Sequence, residues 1–197
     1  MVSRIKASQI TQQEMLGALE KTARQAHRAG QIIQRIRSFV KRSEPNRKAA
    51  AELGRHIIDS LLAINPNARV MYMGDLNDDP VNVSLTRFLR ATGEKAEAVD
   101  GTLYNPMYEP YQRGIGTLAW RDSWNLFDQI VITPSLVTGA GGQYHYYGVR
   151  IFNEPYLRQE EGNFAGYPSR TFVGDIYQDG YSDHFPVFLI LVKEVKK

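Results

Sequence analysis

The apolar positions of the first forty residues fall on one seam. Leu16, Leu19, Ala23, Ala26, Ile33, Ile36 and Val40 recur at spacings of three, four or seven, which predicts one long helix between Ile10 and Val40. Thr11 and Glu14 supply a capping box at its start. Ser43-Glu-Pro45 is expected to end it, because proline disfavours α geometry in the residue before it. A second helical pattern covers residues 47–63 through Ala49, Ala50, Leu53, Ile57, Ile58, Leu61 and Leu62. It runs into an Asn65-Pro-Asn67 turn and then the short β-prone run Ala68 to Met73, read as a buried strand. A helix feeding a strand in this way is an α/β unit.

Beyond Pro80 the pattern predicts a short helix from Val83 to Ala91 and a loop over 94–116. It then predicts strands from Phe127 to Thr133, from Tyr144 to Phe152 and at the end of the run Gly180–Lys193. Residues 153–180 carry glycines and aromatics without a regular period.

Polar groups mark the ends of these strands. In Gly74-Asp-Leu-Asn-Asp-Asp-Pro80, Asp75 and Asn77 are expected to project on one side of the strand's carboxyl end. Such ends are where α/β proteins commonly place ligands, and carboxylates there offer hard oxygens to Mg²⁺ or Ca²⁺. The competing reading is an acidic turn whose Asp and Asn cap their own backbone. Asp128 stands among apolar neighbours, where a carboxylate is costly unless paired. It reads as a salt-bridged or capping group, or as a carboxylate that orients a histidine. Ser182-Asp183-His184 occupies the turn before the last strand. His27, His56 and His145 read as solvated or packing histidines, and the Tyr-His-Tyr-Tyr run around His145 as a strand surface rather than a base-stacking platform.

An apolar fraction of 43% and an aromatic content of 11% over 197 residues support a packed core. The chain has no cysteine, which excludes disulfides, zinc–thiolate sites and thiol nucleophiles. No stretch approaches 18 consecutive apolar residues and no apolar leader opens the chain, so a cytoplasmic protein is expected. The net charge of +3 is unevenly spread: residues 1–47 carry ten Lys/Arg against three Asp/Glu, the rest fourteen against eighteen. The basic character therefore belongs to the N-terminal segment, not to the part with candidate chemistry.

Two resemblances follow from these residues. Ser3-Arg-Ile-Lys-Ala-Ser-Gln-Ile-Thr-Gln12 together with the run Gln25–Asn46 resembles a dimerisation-domain helix of sensor histidine kinases. His27 is followed by Arg28, not by the acidic residue of that family's phosphoacceptor motif, so kinase activity does not follow. Gly-Asp-Leu-Asn, Phe-Asp-Gln-Ile and Ser-Asp-His-Phe-Pro-Val, in that order, resemble the C-terminal half of the endonuclease/exonuclease/phosphatase superfamily over residues 48–197. Gly101-Thr-Leu-Tyr-Asn-Pro, Gly114-Ile-Gly-Thr-Leu-Ala-Trp-Arg-Asp-Ser-Trp and Gly166-Tyr-Pro-Ser-Arg-Thr-Phe further resemble a bacterial subgroup of it.

The second resemblance implies an α/β (α+β) fold, part of a two-sheet α/β sandwich, here preceded by a long N-terminal helix. It implies a metal-dependent phosphoesterase in which Asp75 orients the attacking water and Asn77 holds the water or a phosphate oxygen. Asp183 would ligate a divalent metal, Mg²⁺ or alternatively Mn²⁺. His184 would contact the scissile phosphate as acid/base, with Asp128 fixing its tautomer and raising its basicity. The implied partners are a phosphodiester substrate, nucleic acid included, and a second copy through the N-terminal helix. The family's first half supplies an Asn, a metal-binding Glu and a further catalytic His, and no strand-borne motif of that kind stands before Asp75. A join of two protein fragments between Ser43 and Lys48, a segment 1–47 followed by a domain 48–197, is therefore expected. The alternative function is a non-catalytic or degenerate fragment with a helical dimerisation segment.

Overall fold

The computed structural model describes Gly17 and residues 20–23, 44–138 and 142–194. The chain divides into two compact units, Met1–Ser43 and Glu44–Lys197. In the first, Gly17 and residues 20–23 are helical. The remainder of the expected helix over 10–40 and His27 lie outside the described residues, as does any strand contribution from that segment.

The second unit opens with helix α1, Glu44–Ile64. Pro45 sits in its first turn, where the missing N–H has no intrahelical partner to lose and the fixed φ suits a helix. Glu44 and Pro45 thus begin this helix. Glu44 pairs with Lys48 at 2.6 Å across one turn. The Asn65-Pro-Asn67 turn leads to strand β1, Met71–Asp75.

Four strands form the main sheet: β1, β2 (Ala91–Thr92), β3 (Leu103–Tyr104) and β6 (Asp128–Ile132), in the order β1-β6-β3-β2. β1 runs antiparallel to β6 with Met71 opposite Ile132 and Asp75 opposite Asp128. Side chains alternate across the sheet, so its two faces build two cores. On one face Val131, Leu103 and Tyr72 pack with Ala51 and Ile58 of α1 and with Leu85 and Leu89. Gly54 makes this contact close, since a Cβ there would lie 2.8 Å from the Tyr72 ring. On the other face Ile130, Ile132 and Tyr104 pack with Leu136 of helix α3 (Pro134–Thr138) and with Tyr146, Val187, Leu189 and Leu191. Those last residues belong to a second, two-stranded antiparallel sheet of β7 (His145–Ile151) and β10 (Val187–Val192). The result is a mixed α/β sandwich: helix, sheet, sheet.

Two hairpins complete the unit: β4 (Leu118–Trp120) with β5 (Ser123–Asn125), and β8 (Phe172–Val173) with β9 (Ile176–Tyr177). Arg121 and Asp122, the two residues between β4 and β5, both take positive φ, as a tight hairpin turn of matching twist requires. The helix expected over Val83–Ala91 is only a π-helical turn, Ser84–Phe88, because Ala91 is already paired in the sheet opposite Leu103. The expected loop 94–116 contains β3 and the short helix α2, Tyr108–Gln112. One flank of α1 stays apolar and exposed through Leu53, Ile57, Leu61 and Ile64, and Met71 and Met73 are exposed on β1 at the sheet edge. Among the described residues no helix is long and apolar enough to cross a membrane.

Candidate active site

The register of β1 on β6 brings two carboxylates together. Asp75 closes β1 and Asp128 opens β6, and directly opposed residues share a face. That face is the one covered by the second sheet, whose strand β10 is preceded by Asp183 and His184. The approach to β10 is held by backbone bonds: Phe185 N–H donates to Thr117 O at 2.7 Å and Ser182 N–H to Ser169 O at 3.0 Å. Phe185 is buried and stacks on Trp124, which fixes the residue next to His184.

His184 Nδ1 thereby reaches Asp128 Oδ2 at 2.7 Å. Thr117, fully buried, donates its hydroxyl to the same oxygen at 2.6 Å. With Nδ1 engaged, Nε2 is the ring nitrogen left to meet a ligand. Burial favours the neutral ring, but the hydrogen bond to Asp128 and its charge, then the charges of Asp183 and Asp75, outweigh it. The His184 pKa is held above its ordinary value. Asp75 and Asp183 are both exposed, so this cluster lies at an open rim.

Asn77 does not continue the alternation from Asp75. β1 stops at Asp75, and Asn77 takes φ +54 so that its own N–H donates to Asp75 Oδ1 at 3.0 Å. The strand ends in a turn capped by its own aspartate, which places Asn77 by local hydrogen bonding instead of by strand period. The following aspartates are structural. Asp78 is buried and accepts from Ser84 Oγ at 2.5 Å and Asn82 Nδ2 at 2.7 Å, with Arg47 Nε 2.8 Å away. Asp79 accepts from Leu126 N–H at 2.7 Å and from Asn125 Nδ2 at 3.0 Å. Gln129, inside the core, donates to the carbonyls of Asp78 and Leu126 and accepts from the buried Asn105 at 2.7 Å. These bonds hold the loop after Asp75 onto β6.

Thr117, Asn105 and Gln129 are the residues that sequence reasoning missed. Their signal was a polar side chain inside a motif or an otherwise apolar strand, which must find a buried partner. Sequence pattern does not say which.

Metal-ligating chemistry is sparse. Among the described residues no three or more His, Asp or Glu side chains gather as a metal cage. The exposed carboxylates of Asp183 and Asp75, both near enough to act on His184, fit an ion that keeps water and takes substrate oxygens, as Mg²⁺ does with one or two carboxylates.

Residues 34–193 match the model of the Endonuclease/Exonuclease/phosphatase family. The chain belongs to that family. The match takes in residues 34–43 as well as residues 44–193 of the second unit. No curated protein matches the chain. Among solved structures, a mannosyl-6-phosphatase of Bacteroides thetaiotaomicron VPI-5482 aligns at 18% identity with a TM-score of 0.43, over 77% of this chain and 47% of that one. The chain thus spans about half the length of that solved protein. Enzymes of the Endonuclease/Exonuclease/phosphatase family are hydrolases of phosphate esters that generally use divalent metals.

Proposed function

We propose that this chain hydrolyses phosphate esters, phosphodiesters above all, at the rim formed by Asp75, Asn77, Asp128, Asp183 and His184. The observation that supports this most is the Asp128–His184 pair, 2.7 Å apart, with two further carboxylates acting on the same ring. Asp128 holds the tautomer, so that Nε2 faces the scissile phosphate. The raised basicity of His184 suits it to hold a proton and give it to the leaving oxygen as the ester P–O bond breaks. Asp75 orients the attacking water, whose oxygen forms the new P–O bond and whose proton passes to solvent, and Asn77 holds that water or a phosphate oxygen. Asp183, with Asp75 also acting on His184, would hold Mg²⁺ or Mn²⁺. Such an ion supplies positive charge against the negative charge that develops on phosphorus oxygens.

The test is turnover of a generic phosphodiester, plasmid DNA and a sugar phosphomonoester with Mg²⁺ or Mn²⁺, with EDTA and the variants Asp75→Ala and His184→Ala as controls. Metal-dependent turnover lost in both variants is the expected result. No turnover by folded protein overturns the reading. It would favour the second one, a non-catalytic or degenerate fragment.

For residues 1–47 we propose a segment that pairs two copies of the chain, on the strength of its resemblance to a kinase dimerisation helix. Light scattering should then give about twice the 22.4 kDa of one chain; a monomer at all concentrations would end this reading.

A further inference from the structure

A cavity of about 320 Å³ has Trp120, Arg121, Gln159, Phe164, Tyr167 and Arg170 in its walls. Three of these are aromatic and two carry guanidinium groups. Among the described residues neither guanidinium is paired with a carboxylate. Arg121 instead lies over the Trp120 ring, 5.6 Å from its centre. The volume is in the range of small-molecule sites. Aromatic walls select planar rings, and guanidinium forks select phosphate or carboxylate oxygens.

The walls are tied to the site at both ends. Arg170 follows Ser169, whose carbonyl receives the Ser182 N–H just before Asp183. Trp120 belongs to β4, which continues from Thr117, the partner of Asp128. Tyr167 packs edge-on against Trp124, which in turn stacks on Phe185 beside His184. Tyr167 is itself fixed, since its hydroxyl donates to Asp122 Oδ1 at 2.6 Å and so occupies the carboxylate of the β4–β5 turn.

We infer that this cavity is a recognition pocket for a planar aromatic group bearing a phosphate, of mononucleotide size. The ring lies among Trp120, Phe164 and Tyr167, and the phosphate faces Arg170 and Arg121. The assignment rests on the phosphoesterase reading only in making this occupant part of the substrate; binding itself does not require turnover.

Of the two tryptophans of the chain, Trp120 lines the pocket and Trp124 packs against Tyr167 of its wall, so intrinsic fluorescence reads the pocket. AMP, ribose 5-phosphate, adenosine and mannose 6-phosphate would be titrated in EDTA, with excitation at the red edge of the tryptophan band. Saturable binding of AMP, at least tenfold tighter than the other three, is expected. Arg170→Gln should weaken AMP tenfold or more while Arg170→Lys weakens it less, and Phe164→Ala should narrow the gap between AMP and ribose 5-phosphate. Because binding is read in EDTA, AMP that binds a parent protein without turnover separates failure of the phosphoesterase reading from failure of this one. Equal binding of ribose 5-phosphate or of adenosine, or no saturable AMP signal from folded protein, overturns the pocket assignment.

Discussion

His184 is placed by two oxygens and a ring: Asp128 accepts from Nδ1, Thr117 shares that carboxylate, and Phe185 anchors the neighbouring backbone. Replacing Asp128 by Asn removes the charge that raises the His184 pKa, so the limb of the pH–rate profile that reports His184 should move to lower pH. An unmoved limb would show that Asp128 does not tune the ring. The same pair should register in stability. The folded ring holds its proton more tightly than an unfolded one at the ordinary value of 6.5, so its contribution is full below that pH. It declines as pH rises through the raised folded value. Denaturant midpoints of metal-free protein across pH 5 to 9 should show this decline in the parent and a flatter curve in Asp128→Asn. Thr117→Val leaves the Asp128 oxygen one donor short and should cost on the order of 1–2 kcal/mol by chemical denaturation.

At the scale of elements, the segment before β10 depends on close backbone approaches. An added Cβ at Gly180 would meet the carbonyl oxygens of Ser169 and Arg170, and one at Gly116 would lie 2.5 Å from Asn125 O. Backbone oxygens cannot swing aside as a side-chain tip can. Gly180→Ala should therefore separate residues 169–170 from 180–182, the strands of chain that support both the Asp183–His184 turn and the aromatic cavity. A destabilisation of about 1–3 kcal/mol is expected, with a loss of turnover larger than thermal unfolding at the assay temperature explains. Full activity with unchanged stability would mean the segment repacks at no cost. Helix α1 shows the limit of reading elements from pattern: Ser43-Glu-Pro45 reads as a stop for the segment before it, and Pro45 sits in the first turn of α1. A proline before a run of helix formers is compatible with either, and only the chain's path decides.

For the whole molecule, one sheet with a helix on one face and a second sheet on the other brings the carboxylates of β1 and β6 under the start of β10. An ion held by only one or two carboxylates binds weakly. Millimolar Mg²⁺ or Mn²⁺ should nonetheless raise the thermal midpoint by mass action. Asp183→Asn should abolish most of that rise, and an unchanged rise would place the ion elsewhere.

What the sequence determined by itself was the set of chemical groups and their order: Gly-Asp-Leu-Asn, Phe-Asp-Gln-Ile and Ser-Asp-His identified the family, because each is short and local. Strands ending in polar residues were legible from period and turn chemistry. Only the tertiary structure decided who meets whom. Asp75 faces Asp128 because β1 and β6 are antiparallel in one register, and a slip of one residue would turn Asp128 to the other face of the sheet. Asn77 is placed by a hydrogen bond from its own amide to Asp75, not by strand period. Thr117, Asn105 and Gln129 became visible as supports once burial demanded partners for them, since pairing across 11 to 51 residues of chain leaves no local trace.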